Sequence, residues 1–284
     1  VNQIVRHRAV ARSVPLPHGR VAVLEVTPPA GVPVRGTALL VPGYTGSKED
    51  FAPVLDPLAE HGWRVAAMDQ PGQYESAGPD EPASYTVDWL ASVVLAVRTR
   101  LEAGGPVHLL GHSFGGLVAR AAALVDPAGW RSVTLLGSGP SAIGGPRKDR
   151  MAALEPLLAA GGMPAAYEGV ERLARLDPRW TASPPELKEF LKRRFLASTA
   201  AGLTGMGAAL LSEPDRVDAL HASGLPLLVA HGEHDDAWQP ETQRLMAKRL
   251  DAAYEVIADS VHSPAVERPA ATVAVLHRFW SSIE

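Results

Sequence analysis

Cysteine is absent from this chain of 284 residues, and its absence removes disulfides, thiol nucleophiles and cysteine-ligated zinc together. Lysine is scarce: five of the 27 basic residues, the other 22 being arginine. With abundant alanine, that bias fits a GC-rich coding sequence and says little about chemistry. Excess positive charge is missing too, since the formal net charge is −4, so neither a nucleic acid nor an anionic membrane is an expected partner. No apolar run approaches the roughly 20 residues that span a bilayer. The first residues, Val1 to Arg8, lack the apolar core of a signal peptide, so a cytoplasmic location is the expectation, with a leader removed ahead of Val1 left open. What is present is apolar material, 46% of the chain. At this length it can bury one large catalytic core, with room for an inserted subdomain.

Apolar segments rich in β-branched residues recur between helical stretches, the pattern of a mostly parallel sheet covered on both faces. Strands are read at Arg20 to Thr27, Thr37 to Val41, Trp63 to Met68, Val107 to Leu110, Ser132 to Leu136, Leu225 to Ala230 and Ala253 to Ile257. Leu90, Val93, Val94, Val97 and Leu101 share one face of a 3.6-residue repeat with Thr86 as its cap, and Met246 and Leu250 mark another face. The stretch from Gly144 to Pro214 breaks the alternation. It has no convincing strand, opens on Gly144-Gly145-Pro146, and carries a capping-box spacing at Ser183-Pro184-Pro185-Glu186 before the apolar face Leu187, Phe190, Leu191 and Phe195. A strand-to-strand crossover needs far fewer residues. The expected organisation is therefore a core of residues 1–143 and 215–284 with a helical cap, 144–214, over the carboxyl edge of the sheet.

Gly111-His112-Ser113-Phe114-Gly115 follows the apolar run Val107-His108-Leu109-Leu110 and precedes a small-residue helical stretch. Between a strand and a helix, this G-x-S-x-G pentapeptide is a sharp turn that thrusts one serine out at the sheet edge. A side chain at Gly111 or Gly115 would clash with the neighbouring strand or helix, and Ser113 must accept a strained backbone. A serine hydroxyl needs a base, and the base needs a third group to hold its tautomer. The candidates follow in order: His231-Gly232-Glu233-His234-Asp235-Asp236 after one strand, then Ser260-Val261-His262-Ser263-Pro264 after the last. These residues read as a serine hydrolase.

At this point the chain resembles the α/β-hydrolase-fold serine hydrolases over nearly its whole length. The serine elbow, Gly232-Glu233-His234-Asp235 as the family's Gly-x-x-Asp, and His262 in a short loop before the last helix carry the resemblance. It implies a mostly parallel eight-stranded sheet flanked by helices, with a helical cap. The family's early His-Gly loop stands here as Pro42-Gly43-Tyr44, which keeps the glycine and loses the histidine. Because the oxyanion donor of that loop is a backbone N–H, the departure bears on loop support more than on chemistry.

The expected catalytic residues are Ser113, Asp235 and His262. Asp235 is favoured over Asp236, which is one residue out of register and reads as the cap of the following turn; Asp69 reads as holding its own turn. Among ten histidines, His112 is the variable residue of the elbow, His108 lies inside a strand and His277 sits in a helix beside Trp280. His231, Glu233, His234 and Asp235 could ligate a metal, but there is no helical H-E-x-x-H arrangement, and a triad accounts for Asp235 without one. No metal and no organic cofactor is required. The expected oxyanion donors are the N–H groups of Tyr44 and Phe114. Tyr44, Phe114 and Trp238 are candidate pocket walls; Met163, Leu203 and Met206 read first as cap core and second as pocket lining.

The resemblance implies a small or medium carboxylic ester as substrate. Thioester, lactone, amide or peptide hydrolysis, C–C cleavage and perhydrolysis use the same triad, and a non-turnover ligand receptor could keep the same fold. Haloalkane dehalogenases and epoxide hydrolases are disfavoured, because their elbow nucleophile is aspartate.

Overall fold

The computed structural model describes residues 3–17, 19–101 and 104–283; of the N-terminal stretch read above, Val1 and Asn2 lie outside them. Eight strands form one sheet: β1 (Val10–Leu16), β2 (Gly19–Val26), β3 (Gly36–Val41), β4 (Trp63–Met68), β5 (Val107–His112), β6 (Trp130–Leu136), β7 (Leu227–Gly232) and β8 (Ala253–Ile257). Their order is β1-β2-β4-β3-β5-β6-β7-β8. Strand β2 is antiparallel to both β1 and β4, and every other pairing is parallel.

Strand β1 is absent from the sequence reading. It contains Pro15 and is exposed along much of its length, so no buried face writes an alternation into its residues. Its order comes from pairing with β2, from Val10 opposite Glu25 to Leu16 opposite Gly19. Strand β7 starts two residues later than read and takes in His231 and Gly232, while β5 continues to His112. The turns that follow are correspondingly shorter.

Twelve α-helices occur among the described residues: α1 (Ala52–Glu60), α2 (Val87–Arg98), α3 (Phe114–Val125), α4 (Gly145–Ala152), α5 (Leu154–Ala174), α6 (Pro178–Ala182), α7 (Pro185–Ala197), α8 (Ala200–Ser212), α9 (Val217–Ala222), α10 (Pro240–Leu250), α11 (Pro264–Glu267) and α12 (Pro269–Ser281). None is long and apolar enough to cross a membrane as a single helix. Thr86 caps α2 by accepting from the Trp89 N–H, and the helix ends at Arg98, which leaves Leu101 beyond it. The capping box expected at Ser183 does not form. Pro184 stands at the N-cap of α7 with no side-chain bond, and Ser183 instead donates to the Arg179 carbonyl at 2.8 Å, ending α6. The short helix that precedes it claims the serine first.

Alternate residues of the central strands feed two cores. Leu39, Val41, Leu109, Val133 and Val229 pack with α2, α3, α9 and α10 on one face. Ala38, Leu40, Leu110, Leu136 and Leu228 pack with α1 and α12 on the other. Both faces being covered, the central strands are largely apolar, which makes β3 to β7 legible as near-continuous runs.

Helices α4 to α8 all lie between β6 and β7. The block leaves and returns at one point, where the Ala142 N–H donates to the Glu213 carbonyl at 2.8 Å and the Ile143 N–H to Leu210 at 3.1 Å. Arg120 of α3, 1% exposed, closes this junction. Its guanidinium pairs with Glu213 at 3.0 Å and donates to the carbonyls of Pro140 and Pro214. The helix that begins at the serine elbow is thus anchored to both stems of the helical block.

Candidate active site

The elbow has the close packing its glycines require. A Cβ on Gly111 would stand 2.1 Å from the Gly115 carbonyl oxygen, and one on Gly115 would stand 2.4 Å from the carbonyl oxygens of Val41 and Pro42. Between them Ser113 adopts φ +54° and ψ −123°, a conformation that costs a non-glycine residue about 1–3 kcal/mol. Backbone bonds hold it there: Ser113 N–H to Leu136 O and Gly116 N–H to Ser113 O, both 2.9 Å.

Ser113, His262 and Asp235 come from loops beyond the carboxyl ends of β5, β8 and β7, and the structure joins them in one hydrogen-bonded chain. His262 Nε2 is 2.9 Å from Ser113 Oγ, and His262 Nδ1 is 3.0 Å from Asp235 Oδ1. Asp235 is 2% exposed. Burial alone would raise its pKa, but the His262 bond and charge, the Ala237 N–H at 2.9 Å and the Gln243 amide at 3.0 Å together hold it below the usual carboxylate value. An ionised Asp235 makes Nδ1 the protonated nitrogen of a neutral imidazole. Nε2 is then bare, and the Ser113 hydroxyl donates to it.

Asp236 points elsewhere. It pairs with Arg147 of α4 at 2.5 Å, so it is a link to the helical block rather than the turn cap expected of it; Asp235, through Ala237 N–H, holds that turn. Asp69 accepts from the Glu75 N–H, holding its own turn, and also from the backbone and ammonium of Lys48. The suggested metal cluster diverges: His231 contacts Gly232 O and Tyr254 Oη, while Asp235 faces His262. Among the described residues no group of three or more such side chains could hold a metal. His108 is hydrogen-bonded to Ser132 at 2.8 Å, and His277 accepts from the Trp63 indole at 3.2 Å.

His112 does more than fill the variable place in the elbow. Its Nε2 lies 2.8 Å from the His262 carbonyl oxygen, a contact that requires Nε2–H as donor and steadies the His262 loop. Burial first, and the neighbouring His262 second, drive its pKa from the ordinary 6.5 down to about 4. Between those values the unfolded chain binds a proton here that the folded chain refuses. The stability from neutral His112 is therefore full above about pH 6.5 and lost as the pH falls through 4, a change of roughly 3 kcal/mol. In urea unfolding, the loss of stability from pH 7 to pH 4 should be smaller by about that amount in His112→Gln. Equal losses in the two proteins would refute the linkage.

Phe114 opens α3, so its N–H is one of those the helix ladder leaves unpaired. Tyr44 follows β3 across Pro42 and Gly43, and among the described residues no carbonyl accepts from its N–H. A Cβ on Gly43 would stand 3.0 Å from Ser113 Cβ, so the loop runs directly against the serine. The Tyr44 side chain is half-buried: its hydroxyl donates to the Leu203 carbonyl at 3.0 Å, and burial raises its pKa.

The helical block touches the loops that follow β3, β4 and β7. Arg194 pairs with Asp50 at 2.6 Å, the Tyr74 N–H donates to Ser198 Oγ at 3.1 Å, and the Thr199 N–H donates to Gly72 O at 2.9 Å. Together with Tyr44–Leu203 and Arg147–Asp236, these contacts lay the block across the carboxyl edge, leaving Ser113 only 7% and His262 only 8% exposed. Phe114, Trp238 and Met206 share one buried cluster, against which Tyr44 packs. The Trp238 indole N–H is buried there without a partner among the described residues. Met163 sits apart from Phe114 and Trp238, in a separate cluster with Tyr167, Phe195 and Leu203.

Sequence reasoning missed Gln243, whose amide bridges Asp235 and the Trp238 carbonyl. A signal existed: Gln243 falls on the same face as Met246, Ala247 and Leu250, a polar residue at a core position.

Comparison with known proteins agrees with this architecture. The profile of the Alpha/beta hydrolase family matches residues 38–275. The pimeloyl-acyl-carrier-protein methyl ester esterase of Aeromonas salmonicida is 26% identical over 235 residues, 80% of this chain and 88% of that protein. The proline iminopeptidase of Lactobacillus delbrueckii subsp. bulgaricus is 29% identical over 261 residues, 83% of this chain and 86% of that protein. The enol-lactonase of Burkholderia xenovorans superposes with a TM-score of 0.77 over 95% of this chain and 100% of its own, at 21% identity, a likeness of fold. By its strand order, its serine elbow and a family match that runs from β3 into α12, the chain is a hydrolase of the alpha/beta hydrolase family.

Proposed function

We propose that this chain is a serine hydrolase that cleaves a small or medium carboxylic ester through an acyl-enzyme intermediate. The observation that carries the reading is the unbroken relay from Ser113 Oγ through His262 to Asp235, at 2.9 and 3.0 Å. Ser113 Oγ attacks the acyl carbonyl carbon as its proton passes to His262 Nε2. Asp235 stabilises the imidazolium that forms. The oxyanion is received by the N–H groups of Tyr44 and Phe114, donors fixed before reaction and shielded from water. Collapse of the tetrahedral adduct expels the alcohol, which leaves with the proton from His262. A water then attacks the acyl-enzyme, returns a proton through His262, and releases the acid and free Ser113. These steps draw on no metal or organic cofactor, and the partner is the small ester itself.

The choice of ester rests on the Aeromonas relative, whose name is that of a methyl ester esterase. The near-closure of Ser113 supports a substrate of limited size. In this reading residues 144–214 form the cap, 1–143 and 215–284 the hydrolase core, and Met206, in the same buried cluster as Phe114 and Trp238, limits the acyl group. A fluorophosphonate should label the protein, and esters of graded acyl length should give high kcat/KM for short and medium chains with a steep fall beyond them. Met206→Ala should move that fall toward longer chains. A flat profile in both proteins would mean that the helical block serves stability or association instead.

A further inference from the structure

The peptide that joins Gly43 to Tyr44 is gripped from behind. The loop after β4, Asp69 to Ser76, lies against Pro42-Gly43-Tyr44 and sends two side chains into it, Gln70 and Gln73, each 1% exposed. Gln70 Nε2 donates to the Pro42 carbonyl at 2.9 Å, and Gln73 Nε2 donates to the Gly43 carbonyl at 2.8 Å. Gln73 Oε1 accepts from the Gln70 N–H at 3.2 Å, which settles which end of the amide faces Gly43. The Gly43 carbonyl also accepts from the Gly46 N–H at 3.1 Å.

A trans peptide is planar, with C=O and N–H on opposite edges, and the described residues contain no cis bond. Fixing the Gly43 oxygen therefore fixes the Tyr44 N–H, which points away from Gln73. That N–H has no carbonyl partner among the described residues, and on its other side the loop lies against His112 and Ser113 of the elbow. Pro42 contributes neither a polar side chain nor an N–H to steady the turn, so its support has to come from elsewhere. The cap in turn grips both neighbours of Gln73: Thr199 N–H bonds Gly72 O, and Ser198 Oγ receives the Tyr74 N–H.

We propose that Gln73, braced by Gln70, is a positioning residue that aims the Tyr44 N–H at the oxyanion. The proposal rests on the serine hydrolase reading. A donor held off line is weakened rather than deleted, so the effect should fall below the 10²–10³-fold that removing an oxyanion donor costs.

The test uses Gln73→Met, which keeps the volume and loses the donor, with an activated short-chain ester as substrate and phenylboronic acid as a tetrahedral probe. The expected result is a kcat lowered roughly tenfold to a hundredfold, KM within about twofold, and boronic acid affinity lowered by the same factor as kcat. The pH midpoint of kcat/KM should be unmoved. Gln73→Glu adds a readout that mere packing would not alter: only the protonated carboxyl can donate to Gly43 O, so its activity relative to wild type should climb as the pH is lowered. A folded Gln73→Met with kcat and boronic acid affinity near wild type overturns the proposal. Should that variant not fold, a pH-independent ratio for Gln73→Glu overturns it instead. A wild-type chain inert to fluorophosphonate overturns the serine hydrolase reading itself, and this assignment with it.

Discussion

Ser113→Ala is expected to abolish ester turnover and fluorophosphonate labelling while the fold survives. Removal of the nucleophile from a serine–histidine–aspartate unit costs on the order of 10⁶ in kcat, because the remaining members have nothing to activate. No neighbouring serine can take over. Ser138 Oγ is buried without a partner among the described residues, and Ser260 Oγ donates to Glu267 at 2.9 Å; neither is bonded to a histidine. The backbone bonds that hold position 113 belong to its own peptide groups and those of Gly116 and Leu136, and the substitution leaves them in place. The thermal midpoint should therefore move by no more than a few degrees. Undiminished labelling, traced by mass spectrometry to Ser138 or Ser260, would remove Ser113 from its role.

Asp235→Asn should lower kcat by ~10⁴, as the same change does in the worked serine protease triad, or about 5 kcal/mol of transition-state stabilisation. Three donors converge on this carboxylate: His262 Nδ1, the Ala237 N–H and the Gln243 amide. An asparagine presents an N–H₂ to one of them. His262 then carries its proton on Nε2, facing the serine oxygen it should relieve. Asp236→Asn should cost far less in kcat, because Asp236 is 43% exposed at its side chain and pairs with Arg147, and such surface pairs are worth about 0–1 kcal/mol. Its effect belongs in KM, since the pair ties α4 of the helical block to the turn after β7. Steady-state kinetics of both variants separate the two carboxylates, and a larger loss of kcat in Asp236→Asn would transfer the triad to the neighbour.

Features written by local geometry were readable along the chain. Gly111 and Gly115 are where backbone meets backbone at 2.1–2.4 Å from any added Cβ, a requirement each position carries by itself. The apolar runs of β3 to β7 are visible because both faces of those strands are buried, and the order serine, aspartate, histidine follows from the order of the strands that present them. Asp235 could be preferred over Asp236 because a one-residue shift in a turn reverses the side chain.

What the sequence could not write is a partner. Strand β1 looks like coil until β2 pairs with it. Ser183 carries a capping signature that an adjacent helix captures. Gln70, Gln73 and Gln243 are ordinary polar residues whose acceptors lie 28, 30 and 8 residues away, and His112 donates across 150 residues to the loop of His262. Burying an amide or imidazole N–H costs free energy unless the fold supplies an acceptor, and which acceptor arrives is decided by how strands, loops and helices close on one another. The chain order determined which groups could react; the tertiary structure alone decided what holds them in line.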